Sequence, residues 1–169
     1  MTLLEIQGRV RKFGDNIDTD AMFPGHALGM SIERASMYAF DGVERGWAES
    51  VQAGDIVVAG RNTGIGSSRP VPVLLRRLGI SAVVADEFNS LFFRNCINYG
   101  IPAIAASGVS AMFEEGDTLR IDFLQAEILN CASGDRICWP KFPQLVTRIL
   151  ECGGLLAQLE GDGLVVSNE

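Results

Sequence analysis

Two short runs, Asp55-Ile56-Val57-Val58-Ala59 and Ile80-Ser81-Ala82-Val83-Val84-Ala85, constrain this chain most. Both are apolar, rich in β-branched residues and free of polar alternation, as expected of strands covered on both faces. Between them stand a polar, glycine-rich loop (residues 60–69) and an apolar stretch (residues 70–78) that opens on Pro70 and closes on Arg76 and Arg77. Proline in a first turn and cations in a last turn fit a helix. After the second run, Asp86-Glu87 leads into a helical pattern through Phe92, Phe93 and Ile97 that stops near Gly100. Strand, loop, helix, strand, helix predicts an α/β unit with parallel pairing.

The flanks are of a different kind. Residues 3–12 alternate loosely, as one or two short strands, before a loop at residues 13–20 that holds three Asp. Ser31 caps an expected helix over residues 32–40. From Gly116 the pattern becomes period two at residues 118–123, with further short pieces at 127–130 and 136–139, which predicts an antiparallel meander. A closing amphipathic helix is expected over residues 142–151, ended by Gly153-Gly154. The 169 residues suit a single domain, and 47% hydrophobic residues supply its core.

Charge and cysteine usage narrow the function. A formal net charge of -7, with no basic stripe, argues against nucleic acid as a partner. No stretch reaches the ~20 apolar residues of a membrane span, and the start does not read as a signal peptide, so a soluble, cytoplasmic protein with no membrane partner is expected. Cys96, Cys131, Cys138 and Cys152 are scattered without a CxxC pair, and His26 is the sole histidine. No metal is expected on this chain.

The loop Gly60-Arg61-Asn62-Thr63-Gly64-Ile65-Gly66-Ser67-Ser68-Arg69 carries the chemistry. A junction between strand and helix offers backbone N–H groups and a positive helix end, hydroxyls donate, and a guanidinium can grip a carboxylate by two parallel bonds. A small anion is the expected guest. There is neither a Walker lysine nor the third glycine of a dinucleotide loop, which disfavours nucleotides. The competing structural reading has Ser67 and Ser68 cap the next helix while Arg69 pairs on the surface.

Gly64-Ile65-Gly66-Ser67-Ser68-Arg69 resembles the Gly-x-Gly-Ser-Ser-Arg segment of the aconitase and isopropylmalate dehydratase family. Three further stretches agree in order: Asn16-Ile17-Asp18-Thr19-Asp20 followed by Pro24, the segment from Phe92 to Gly100, and the closing helix. The resemblance implies a compact swivelling β/β/α domain of the aconitase C-terminal type spanning residues 1–169. It implies the small subunit of a heteromeric hydro-lyase acting on a 2-hydroxy dicarboxylic acid, isopropylmalate of leucine biosynthesis foremost. The alternatives are another 2-alkylmalate or hydroxy acid, or a non-catalytic anion- or phosphate-binding module. Ser67 would be the base that removes a proton beside a carboxylate, Arg69 would hold that carboxylate, and Ser68 would help bind it. Asp20 is carried over as a site residue that orients an arginine or the serine, while Asp18 reads as a turn and Arg94 and Asn95 as structural. The Lewis acid would be a [4Fe-4S] cluster held by cysteines of the large subunit, with none on this chain.

Two departures stand out. Pro70-Val71-Pro72-Val73 replaces the Glu-His-Ala-Pro common in the family, and Gly25-His26-Ala27-Leu28-Gly29-Met30 stands where isopropylmalate dehydratases often carry Tyr-Leu against the substrate's side chain. His26, Ala27 and Leu28 are therefore expected to line the selecting end of the pocket.

Overall fold

Ile56–Ala59 and Ala82–Ala85 lie at the centre of a computed structural model that describes residues 3–66 and 69–165. Every residue of both strands is buried. In chain order the strands are β1 (Glu5–Lys12), β2 (Ile56–Ala59), β3 (Ala82–Ala85), β4 (Ala103–Ala105), β5 (Thr118–Asp122), β6 (Glu127–Asn130) and β7 (Arg136–Cys138). Among the described residues they form one seven-stranded sheet in the order β4-β3-β2-β1-β5-β6-β7. Strands β1 to β4 are parallel, with Val57 opposite both Arg11 and Val83, and Val83 opposite Ala103. On its other edge β1 pairs antiparallel with β5, Ile6 facing Ile121, and the β5-β6-β7 meander follows. One unbroken β1 therefore joins the parallel half to the antiparallel half.

The helices are α1 (Thr19–Met22), α2 (Ile32–Ser36), α3 (Val71–Leu78), α4 (Ser90–Asn98), α5 (Gln144–Glu151) and α6 (Leu155–Gly161). Helices α3 and α4 are the crossovers that parallel pairing requires. Successive β2 side chains enter opposite cores, which explains why the strand lacks a polar face. Val57 and Ala59 join Leu74, Leu75, Phe92 and Cys96 beneath the helices. Ile56 and Val58 join Val109, Phe113, Leu119 and Ile128 beneath the curled meander. Helix α3 ends at Gly79, whose φ of 85° and N–H bonds to the carbonyls of Arg76 and Leu75 make the left-handed stop that glycine permits.

Three expectations change. Helix α2 stops at Ser36 instead of reaching residue 40, because Phe40 turns to φ 62° and donates its N–H to the Met22 carbonyl at 2.8 Å. With Gly42 N–H on the Ala21 carbonyl at 3.1 Å, the segment after α1 returns to it and closes. The closing helix begins at Gln144, after Pro143, and α6 follows in a stretch for which no element was expected. Strand β4, three residues long and directly after Pro102, was also not anticipated.

A buried ionic clasp ties the two halves at β1. Asp55, 2% exposed, accepts from Arg9 Nε at 3.0 Å and Nη2 at 2.7 Å, and from the Gln52 N–H at 3.0 Å. Arg11 lies 3.5 Å from the same carboxylate, donates to Glu115 and Ser50, and packs 5.3 Å from the centre of the Trp47 ring. Burial pushes the Asp55 carboxyl pKa up, but the Arg9 hydrogen bond, the Gln52 N–H and the two guanidinium charges outweigh it and hold the value below the usual range. A folded-state pKa below the unfolded value of ~3.9 gives stability that is present above ~4 and is lost as pH falls through the folded value. Asp55→Asn is thus expected to cost about 2 kcal/mol at pH 6, and the gap from wild type should shrink below about pH 4. Urea unfolding at the two pH values checks this; a gap independent of pH would refute the clasp's ionic character.

Candidate active site

The two loops that follow β1 and β2 zip together through their backbones. Asn16 N–H bonds the Arg61 carbonyl at 2.8 Å, Gly64 N–H bonds the Ile17 carbonyl at 2.8 Å, and Thr19 N–H bonds the Ile65 carbonyl at 2.8 Å. Asp15 accepts from the Arg61 N–H at 2.7 Å, and the Asn62 amide donates to the Asn16 side chain at 3.0 Å. Two glycines make this approach possible. A Cβ on Gly60 would sit 1.9 Å from the Asp15 carboxylate oxygen, and one on Gly64, at φ 83°, would sit 2.2 Å from the Phe92 ring.

The zipper sets Asp20 against Arg69. Asp18 caps α1 by accepting from the Ala21 N–H at 2.6 Å, which supports its reading as a turn residue. Asp20, one residue into α1 proper, then pairs through Oδ1 with Arg69 Nε at 2.9 Å. The Arg69 side chain is 20% exposed and that of Asp20 60%. Arg69 Nη1 also donates to the Phe23 carbonyl. Two fixed acceptors on different residues hold the guanidinium plane, and Nη2 has no acceptor among the described residues. The Thr19 hydroxyl lies beside Gly66, 3.4 Å from where a Cβ would stand. Neither this hydroxyl nor the Phe23 carbonyl was singled out from the sequence, and a backbone carbonyl carries no residue-type signal that could have done so. Ser67 and Ser68 lie outside the described residues.

Ser67 and Ser68, part of the expected anion cradle, lie outside the described residues, and at the start of α3 the described N–H groups are engaged locally. Val71 N–H bonds the Arg69 carbonyl at 2.8 Å, Val73 N–H bonds the Pro70 carbonyl at 3.1 Å, and Pro70 and Pro72 have no N–H. The prolines that distinguish this chain from the family pattern thus remove the helix-end donors and leave the guanidinium as the principal positive group of the described site.

Of the three residues expected to line the selecting end, Ala27 must be corrected. It is 0% exposed and packed in the core under α2 and α3, so its methyl faces inward and meets no ligand. Leu28 is 49% exposed. His26 is exposed, its ring edge-on to Tyr38 at 5.0 Å and 85°. Beside them a cleft of about 330 Å³ is lined by Pro24, His26, Tyr38, Asp41, Gly42 and Arg45. Arg94 is exposed on α4 and bonds the Ser90 carbonyl within its own helix, away from Arg69's partners.

The cysteines do not make a cluster site. Cys96 is buried in α4, where burial pushes its thiol pKa well up, and Cys131, Cys138 and Cys152 are exposed on separate segments. Among the described residues no group of three His, Cys, Asp or Glu side chains is placed to hold a metal. No described helix is long and apolar enough to cross a membrane.

Comparison with known proteins matches this arrangement. Residues 44–107 fit the aconitase C-terminal domain. The chain is 40% identical over 157 residues to the isopropylmalate/citramalate isomerase small subunit of Methanocaldococcus jannaschii, covering 92% of this chain and 94% of the relative. It is 41% identical over 153 residues to the methanogen homoaconitase small subunit of Methanothermobacter thermautotrophicus, covering 89% and 88%. The crystal structure of 3-isopropylmalate dehydratase from Methanocaldococcus jannaschii superposes with a TM-score of 0.89 at 34% identity, over 95% of this chain and 96% of that one.

Proposed function

Because the chain belongs to the family of aconitase-type hydro-lyase small subunits, we propose that it supplies the substrate-holding half of an active site completed by a large subunit, where isopropylmalate is dehydrated and rehydrated. Relatives at 34% to 41% identity are named for isopropylmalate, citramalate or homoaconitase activity, all reactions of small hydroxy acids. The homoaconitase relative, at 41%, keeps a related hydroxy acid as the second reading. The family resemblance assigns a [4Fe-4S] cluster to the large subunit. A cytoplasmic place in leucine biosynthesis goes with this reading.

The observation that carries the proposal is the Asp20–Arg69 pair beside the Gly66 turn. Arg69 grips one substrate carboxylate with the guanidinium edge that Asp20 and the Phe23 carbonyl leave open. Asp20 acts through Arg69 and is a positioning residue. Ser67, two residues before Arg69, takes the proton from the carbon next to that carboxylate, and Ser68 adds a hydroxyl to its binding. A serine alkoxide is costly in water, so the reaction needs the positive charge of Arg69 close by and a site covered against solvent.

In the assembled enzyme Arg69→Lys is expected to raise KM about tenfold or more, because an ammonium cannot make two parallel bonds to a carboxylate. Asp20→Asn should raise KM by a smaller factor, with Asp20→Glu restoring most of it, since only the glutamate keeps a charge on Nε. Steady-state kinetics on isopropylmalate decide the point. Unchanged KM in Arg69→Lys would refute the clamp.

A further inference from the structure

Positions 67 and 68 are bounded in sequence by Gly66 and Arg69, and one short helix holds both bounds. Arg69 is held by Asp20, inside α1, and by the carbonyl of Phe23, which caps that helix. Gly66 is met by the residue that opens the same helix, for the Thr19 hydroxyl oxygen lies 3.4 Å from where a Gly66 Cβ would stand. The Thr19 N–H reaches the Ile65 carbonyl at 2.8 Å, and the Thr19 carbonyl accepts the Phe23 N–H at 2.9 Å. Thr19 thus stands in one chain of bonds that runs from the residue before Gly66 to the residue whose carbonyl holds Arg69.

Its burial gives the hydroxyl a task. Thr19 is 2% exposed, although its neighbours Asp18 and Asp20 are both exposed. A hydroxyl taken out of water is costly unless it is hydrogen-bonded. Two other buried hydroxyls of this chain meet that need within their own turns: Ser36 donates to the Glu33 carbonyl at 2.9 Å and Thr63 to the Gly60 carbonyl at 3.0 Å. As the first residue of α1, Thr19 has no preceding helical turn whose carbonyl its hydroxyl could reach. It lies instead against the backbone of Gly66, whose φ of 102° and missing side chain leave the main chain open to a close neighbour.

Resting on the hydro-lyase reading above, we propose that Thr19 is a positioning residue for the proton transfer: its hydroxyl bonds the main chain of the Gly66 turn and thereby fixes the backbone from which Ser67 departs. Helix α1 then divides the work between two groups of residues. Asp20 and the Phe23 carbonyl set the guanidinium that grips the carboxylate, and Thr19 sets the reach of the base to the carbon beside it. Thr19 acts through this backbone without touching substrate. Because a proton passes between heavy atoms only near contact distance, loss of the bond slows the transfer and leaves carboxylate binding alone.

The test is made on the assembled enzyme with isopropylmalate. Thr19→Val replaces the hydroxyl by a methyl of similar size, and is expected to lower kcat about 10–100-fold with KM within about twofold of wild type. Thr19→Ala removes the same hydroxyl without adding a methyl and is expected to do likewise. Thr19→Ser keeps the hydroxyl and should hold kcat within about threefold of wild type. Ser36→Ala removes a hydroxyl that is also buried but is bonded within α2, and should leave kcat within about twofold. Wild-type kcat in both Thr19→Val and Thr19→Ala, a loss in Thr19→Ser equal to theirs, or a rise in KM as large as the fall in kcat overturns the positioning role, while turnover by the wild-type pair keeps the hydro-lyase reading intact. A wild-type pair that turns over no hydroxy acid overturns both.

Discussion

Replacing Ser67 by alanine in the assembled enzyme is expected to lower turnover by about 10²–10⁴-fold while leaving KM and assembly near wild type. The proposed base is lost, whereas the groups that grip the carboxylate remain: Arg69 keeps both of its acceptors, Asp20 and the Phe23 carbonyl. The change removes one hydroxyl and no apolar group, so stability should change little. Single-turnover kinetics under anaerobic conditions separate chemistry from binding. A turnover within a few-fold of wild type would remove Ser67 from the mechanism and leave the proton to a group of the large subunit.

Gly64→Ala should produce the largest loss of stability of any single methyl addition in the site loops. At φ 83° an alanine is strained by about 1–2 kcal/mol, and its Cβ would stand 2.2 Å from the Phe92 ring, a 2% exposed side chain with nowhere to move. The sum is about 3–5 kcal/mol, and relief would require the loop to leave the Ile17 carbonyl that Gly64 bonds. Because that bond is part of the zipper that sets Asp20 against Arg69, activity should fall with stability. Gly29→Ala is the control, as its added methyl meets nothing within 4 Å. Urea midpoints of the two variants give the comparison; equal midpoints would refute the claim that Gly64 sets the loop register.

Two opposite burial patterns made the sheet legible. Strands β2 and β3 are covered on both faces, so their runs of Val, Ile and Ala needed no partner to be recognised. The meander was legible for the opposite reason: Thr118, Leu119, Arg120 and Ile121 alternate in type as they do in burial. Helix α2 was read too long because its end is set by a bond from Phe40 to a carbonyl 18 residues earlier, which no local pattern encodes. Strand β4 contains only Ala103, Ile104 and Ala105, and α6 begins just after two glycines that mark a stop, at φ 85° and 127°. Asp20 and Arg69 were both singled out as candidate site residues, but their pairing depends on backbone bonds between two loops and could not be seen in either. Ala27 was misplaced because a three-residue 3₁₀ turn is too short for its inner and outer sides to show in sequence.

The return of Phe40 and Gly42 to Met22 and Ala21 gives the stretch between them the character of an exchangeable cassette. Its two ends are stapled at adjacent residues, so its length and side chains can vary between them without transmitting a shift to the neighbouring acid or to the strands. Selection acting on this stretch can therefore rewrite it while the Asp20–Arg69 pair is inherited unchanged. The condition is that a few inward residues, Ala27, Ala35 and Ala39 among them, stay small enough to fit the core on which the cassette rests.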